Sequence, residues 1–465
     1  MEVPNDGIIR YRHAFNVERI LIASPKALAE VLVMKNYEFI KPSQFRNGLG
    51  QLLGIGVLLA EGDEHKRQRR ALMPAFAYRH IKDLVPVFWS KAREVTEKMT
   101  GLVESEIATS NGTTASDASA EKPSAQHSGV LELSNWASRV TLDIIGLAGM
   151  GHDFNAIEDP SSELNECYRR VFQPDRNGRR AILLQIILPF WILSRLPFKR
   201  NEEIREARAL IRRVCLQLIE EKKAKLASGK STDKDILSVA ISSGGFDDEN
   251  LINQLMTFLA AGHETTSSAM VWAAYLLCIN KDIQTKLRKE IRSKLPSISD
   301  QSATVTAEQI DKVAYLHAVC HETLRFIPSV PLTMRIAAID ATIVGHPIPK
   351  DTTLILAPWA VNRDPKLWGS DAGEFKPERW LNDDGTFNGS GGADSNYSFL
   401  TFLHGPRSCI GQKFALSEFA CLLAAWIGRF DIEFDDPNFE PDIAGGVTAK
   451  PRGGLKVKAK VVEGW

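Results

Sequence analysis

Apolar and polar positions repeat with a helical period through most of the chain. The longest such pattern runs from Asn250 to Asn280, where Leu251, Leu255, Phe258, Leu259, Gly262, Thr266 and Met270 recur at helical spacing. Asp247 and Asp248 stand at its start as a cap and an acidic first turn. At roughly 1.5 Å per residue, a helix of that length crosses a whole domain. Pro25 to Val33 reads as a short helix with Ser24 as N-cap, and Thr306 to Gln309 as a capping box. A glycine-punctuated stretch, Asn47 to Gly62, leads into a basic helix from Asp63, and an apolar helical stretch covers Phe414 to Phe430. Strand-like runs are short: Ile8 to Tyr11 and Glu18 to Ala23 at the start, Arg335 to Trp359 with β-branched alternation and turn signals, and Leu455 to Val462, which alternates apolar and lysine residues. Glu104 to Gly129 (104–129) holds Ser, Thr, Ala, Asn and Gly with almost no large apolar residue. Such a composition predicts a disordered surface insertion, because it cannot bury enough apolar surface to offset chain entropy. No internal repeat is visible. The pattern predicts a mainly α protein with small β-sheets (α+β).

Composition narrows this picture only slightly. At 465 residues, with 44% hydrophobic and 25% charged positions, the chain is an ordinary globular one with a large core. Its 57 basic and 57 acidic residues cancel, so bulk charge gives no reason to expect a nucleic-acid partner. The six cysteines are scattered, which points to a reducing compartment and not to a disulfide framework. The most apolar run, Ala181 to Leu193, is too short to span a bilayer and contains Gln185 and Pro189. The opening Met1 to Asp6 is polar and acidic, unlike a signal peptide.

The chemistry is concentrated near the C-terminus, in Phe402-Leu403-His404-Gly405-Pro406-Arg407-Ser408-Cys409-Ile410-Gly411. A cysteine beside a cation and just ahead of a helix has its thiolate favoured by the neighbouring charge and the helix dipole. A thiolate is a strong axial ligand for haem iron. In the middle of the long helix stands Ala261-Gly262-His263-Glu264-Thr265-Thr266, a poor choice for a buried helix centre on propensity alone. Taken alone, Thr265 and Thr266 would bond back to their own helix carbonyls and Glu264 would face solvent. Glu322-Thr323-Leu324-Arg325 places opposite charges three apart on one helix face.

Together these runs resemble the cytochrome P450 family, of eukaryotic and fungal type, over nearly the whole chain. The resemblance implies one catalytic domain over 1–465. Haem would lie between the long central helix and the helix after Cys409, with Cys409 as axial iron ligand. It implies that Thr265 and Glu264 are the hydroxyl and acid that serve dioxygen and its protons, with the helix widened locally there. Arg379, within Phe375 to Trp380, would join Glu322 and Arg325 in a buried cluster that holds the segment leading to Cys409. Arg69, Arg335 and Arg407 match the family's propionate arginines. His65 stands where the family usually has tryptophan, a departure, although histidine also donates to a carboxylate.

The expected activity is a haem-thiolate monooxygenase inserting one oxygen atom from O2 into a hydrophobic small molecule, in secondary metabolism. The cofactor is haem b, with electrons from NADPH by way of a cytochrome P450 reductase or similar donor. Lys66, Arg67, Arg70 and Lys413 would form a basic docking patch for that donor. An electron-independent isomerase or dehydratase, and a haem-binding protein without turnover, are the alternatives; the Glu264–Thr265 pair argues against both. By resemblance the substrate cavity is lined from Asn47–Leu58, Val171–Trp191, Met256–Ala261, Ile327–Leu332 and Gly445–Thr448. The family's usual N-terminal anchor is missing from the sequence. The expectation is a monomer without a transmembrane segment, cytoplasmic as written and open to peripheral membrane contact. It would belong to the endoplasmic reticulum membrane if an anchor precedes the sequence.

Overall fold

The structure is a computed structural model and describes residues 7–13, 16–113, 128–172, 199–228, 235–444 and 447–465. Its axis is the central helix, Asp248–Ile279, capped by the Asp247 side chain on Asn250 N–H. Residues on most of its circumference are buried, so it runs through the core and not over it. The helix Leu133–Met150 packs along it, and Gly262 explains how closely. A Cβ on Gly262 would come within 2.9 Å of the Ile145 side chain. The glycine in the middle of the helix is therefore a packing requirement between two helices.

The ligand-loop helix, Gln412–Arg429, lies against both the central helix and the long helix Val85–Thr113. A five-stranded sheet stands to one side, in the order Ile8–Arg12, Glu18–Ile22, Thr353–Leu356, Thr333–Ala337, Phe39–Ile40. It is antiparallel except where Glu18–Ile22 runs parallel to Thr353–Leu356. Its buried face has its own small core around Ile22, Leu28, Phe39 and Leu354. The tail strand Lys456–Val461 pairs between Gly129–Glu132 and Phe430–Phe434.

Three expectations change. The polar stretch 104–129 is helical through Thr113 and enters a strand at Gly129, while 114–127 lies outside the described residues. Helix Val85–Thr113 persists because its earlier turns are anchored by buried Phe88, Trp89, Val95 and Met99. Ser43–Leu53, which takes in the start of the glycine-punctuated region, forms a helix, with Gly54 as the residue that ends it at φ 66°. The central helix is continuous α through Ala261–Thr266, without the local widening that the family resemblance implied. Pro25–Ala29 is a helix with the Ser24 cap, continuing into a π-helical turn at Glu30–Met34. The Thr306–Gln309 capping box forms with both hydrogen bonds. Among the described residues no helix is long and apolar enough to cross a membrane.

Candidate active site

Cys409 precedes the ligand-loop helix by three residues, and its backbone N–H donates to Phe402 O at 2.9 Å. The loop reaches this position through two left-handed residues. Gly405 has φ 76°, and a Cβ there would run into the carbonyl oxygen of Leu32. Leu403 has φ 55°, a conformation that a branched residue adopts only when its surroundings impose it. All six cysteines are unpaired; five are buried and Cys409 alone is exposed, into a cavity of about 350 Å³. That volume is within the range of small-molecule sites.

The thiol does not behave as its sequence neighbours suggested. Although the side chain opens onto the cavity, desolvation by the protein packed around it raises its pKa, and this outweighs the Gly411 N–H and the Arg69 charge, which lower it. Burial raises Cys167 to about 11 and Cys215 and Cys278 to about 12, and lifts Cys320 and Cys421 too, so these five are inert core thiols.

Beside Cys409 the cavity wall carries a concentration of positive charge. Arg69 donates to Ser408 O at 2.6 Å. Arg407, buried, donates to Asn36 O at 2.9 Å and Phe39 O at 2.8 Å, and pairs with Glu61. Arg335, buried, bonds to Met334 O at 2.8 Å and Thr333 Oγ1 at 3.3 Å; burial and the Arg407 charge push its pKa down to about 10. Lys41 joins them, with Nζ 3.8 Å from Glu61, and burial drives its pKa well below the usual lysine value. His65 is held neutral by burial and these cations, its pKa lowered to about 4; its Nδ1 meets the Tyr37 hydroxyl at 2.9 Å.

Of these four cations, Lys41 and Arg407 pair with the carboxylate Glu61, and Arg335 feels its charge. Buried cations without counter-charge are costly, so this wall fits a ligand that brings carboxylates of its own. A haem, with two propionates and an iron that binds thiolate, matches both the cations and Cys409.

Glu264 and Thr265 on the central helix line the same cavity. Thr265 Oγ1 donates to Ala261 O at 2.8 Å, the back-bond expected of an isolated mid-helix threonine. Glu264 does not face solvent. It is 4% exposed, and its Oε2 accepts from Lys450 Nζ. Ser329 Oγ donates to Thr265 O at 2.9 Å. Lys41, Lys450 and Ser329 were not singled out from the sequence, since no local pattern distinguishes them from surface lysines or a loop serine.

The Glu322 cluster holds the approach to the loop. Arg325 donates Nε to Glu322 Oε2 at 2.7 Å and Nη2 to Oε1 at 2.8 Å, a bidentate pair with both side chains 0% exposed. Arg379 Nε adds a bond to Oε1 at 3.1 Å, Lys376 N another at 2.7 Å, and Trp380 Nε1 reaches Oε2 at 2.9 Å. Arg325 also donates to Asn362 O, Ala372 O and Glu374 O. Asn362 Oδ1 accepts from Leu400 N at 2.8 Å, so the network reaches the residues just before Phe402.

The basic patch is weaker than its sequence. Lys66 pairs with Asp63 at 2.8 Å and Arg67 with Glu64 at 2.7 Å, so the helix neutralises much of its own charge. The substrate side of the cavity is lined by Phe45, Leu49, Leu53, Phe258, Val330 and Val447 among others. Residues 173–191 and 445–446 of the expected lining lie outside the described residues.

The fold and this wall bring a cysteine and a set of cations into one cavity beside a long helix, a combination that fits a dianionic cofactor with a thiol-binding metal. The cytochrome P450 family model matches residues 12–458. The chain is 46% identical to cytochrome P450 monooxygenase sphH of Aspergillus fumigatus, over 100% of this chain and 82% of that protein. It is 43% identical to cytochrome P450 monooxygenase ALT8 of Alternaria alternata, over 99% and 84% respectively. It is 44% identical to cytochrome P450 monooxygenase FUM15 of Gibberella moniliformis, over 98% and 81%. The chain belongs to the cytochrome P450 family. It is a haem-thiolate monooxygenase whose cofactor is haem b, with a small-molecule substrate and with electrons from NADPH through a reductase.

Proposed function

We propose that Cys409 is the axial iron ligand and that the chain hydroxylates an apolar or amphipathic secondary metabolite, with Glu264 and Thr265 supplying protons. The observation that carries this reading is one shared cavity. Its wall includes the exposed cysteine, four cations of which Arg335 and Arg407 are buried, and the acid and hydroxyl of the central helix. Haem bound there supplies the oxidising power for insertion of one oxygen atom into a C–H bond.

The residues divide the remaining work. Arg69, Arg335, Arg407, Lys41 and His65 would hold the propionates. Glu322, Arg325 and Arg379 fix the segment that aims Cys409. One atom of dioxygen enters product and the other leaves as water, which requires two electrons from NADPH and two protons. Thr265 Oγ1 keeps its lone pairs free while it donates to Ala261, so it can accept from a cavity water or from Glu264 and pass a proton on by exchanging that donation. The aliphatic and aromatic lining excludes water and favours an apolar substrate.

The test is turnover with a reductase, NADPH and a panel of hydrophobic fungal metabolites under isotopically labelled dioxygen. We expect product carrying one labelled oxygen atom, in step with NADPH consumption. Product formed without NADPH, or without label, would overturn the reading.

A further inference from the structure

The segment Val447–Pro451 is fastened to the middle of the central helix. Ala449 N donates to Ser329 O at 2.9 Å, and Ala449 O accepts from Ser268 Oγ at 2.7 Å and Trp272 Nε1 at 2.8 Å. Those bonds already anchor the backbone. Lys450, the next residue, adds something they do not need: its Nζ donates to Glu264 Oε2 and to Ser267 Oγ at 2.8 Å. The Lys450 side chain is 13% exposed and that of Glu264 6%, so the lysine is the member nearer to solvent.

Other titratable groups near Glu264 do not offer a charge of this kind. His263, its neighbour on the central helix, is kept neutral by burial, its pKa lowered to about 4. Glu418, on the ligand-loop helix beside Thr266, is fully buried and its pKa is raised well above the usual range by burial. Lys450 is thus the cation that faces the Glu264 carboxylate.

We propose that Lys450 is a positioning residue for proton delivery, holding the Glu264 carboxyl group beside Ser267 and connecting it to solvent. The inference rests on the reading of Glu264 as the acid of the reaction. In the step, Lys450 Nζ gives a proton to Glu264 Oε2 and takes one back from water, and Glu264 gives its proton into the cavity. The net movement is one proton from solvent to cavity, with both side chains restored.

The experiment compares wild type, Lys450→Met, Lys450→Arg and Glu264→Gln as holoproteins. The first readout is the infrared carboxylic-acid C=O band assigned to Glu264 by its loss in Glu264→Gln. At neutral pH we expect no such band in wild type or Lys450→Arg. A new band should appear in Lys450→Met, because a buried carboxylate stripped of its cation takes up a proton. The second readout is the ratio of product to hydrogen peroxide, which should fall by about 10²-fold in Lys450→Met and be restored in Lys450→Arg. If Glu264→Gln lowers the ratio while Lys450→Met neither lowers it nor gains the band, the role of Lys450 is overturned and that of Glu264 stands. An unchanged ratio in Glu264→Gln would remove the acid itself, and Lys450 with it. Should Lys450→Met yield no holoprotein, Lys450→Gln takes its place. Loss of holoprotein in both would overturn the proposal, showing the pair to be structural.

Discussion

Arg69 donates to the carbonyl oxygen of Ser408 at 2.6 Å, tying the basic helix to the residue immediately before Cys409 across 339 positions of sequence. The same guanidinium therefore grips the loop and adds to the cavity's positive charge. Its own pKa is lowered by burial, and the charge of Cys409 partly offsets this.

Cys409→Ala or Cys409→His should abolish the reduced, carbon monoxide-bound absorbance band from which the family takes its name. Cys167, Cys215, Cys278, Cys320 and Cys421 should each tolerate alanine or serine with the band kept. Spectra of reduced protein under carbon monoxide check this; a normal band in Cys409→Ala would refute the ligand assignment.

Glu322→Ala, Arg325→Ala and Arg379→Ala should each yield little holoprotein. Removing one member leaves buried charge unpaired at a cost of about 3–5 kcal/mol, a large share of a typical domain's stability. Glu322 carries the heaviest load, since both of its oxygens are shared among several donors. Haem content per protein and the melting temperature report the loss.

Thr265→Ala should still bind haem and carbon monoxide, because the side chain forms only a back-bond to Ala261. Without the hydroxyl, reduced oxygen should escape as peroxide, and product per NADPH should fall by roughly 10²–10⁴-fold. NADPH consumption should change much less. The ratio of product to peroxide at matched reductase is the measurement.

Lys41→Met should weaken haem retention while leaving the fold intact. The substitution removes one buried cation from the propionate wall and keeps its aliphatic length. Haem transfer to an apo-globin acceptor should proceed faster than from wild type, and the apoprotein should melt at the same temperature or higher, because an unfavourably buried charge is gone.

Acid should destabilise the protein through its buried histidines. His263 and His321 are lowered by burial from 6.5 to about 4. The unfolded chain takes up these protons near pH 6.5 and the folded state only near pH 4. Stability therefore falls as pH drops through that window, by at most about 1.4 kcal/mol per pH unit for each group. Melting temperatures measured between pH 7 and pH 4 should decline, with a shallower slope in His321→Gln.

Much of the site was legible because its signals are local. The run from Phe402 to Gly411, the acid–hydroxyl pair in the longest helical pattern, and the charges at Glu322 and Arg325 are each fixed by short spacings along the chain. The capping of the central helix by Asp247 and the strands between Arg335 and Trp359 are local in the same sense, since backbone period and cap chemistry act within a few residues.

Tertiary structure alone decided what depends on distant neighbours. Gly262 is required by Ile145 and not by its own helix. Glu264 is paired to Lys450, 186 positions away, and is not left to solvent. Lys41 and Arg335 became part of a charged cavity wall only when the five-stranded sheet brought them beside Arg407 and Glu61. The Cys409 thiol, favoured as thiolate by its sequence neighbours, has a raised pKa because desolvation by the whole fold outweighs one N–H and one arginine. Periodicity and spacing determine elements and motifs because those interactions span a few residues. Burial and charge balance sum over every segment that packs around a group, so they exist only once the chain has folded.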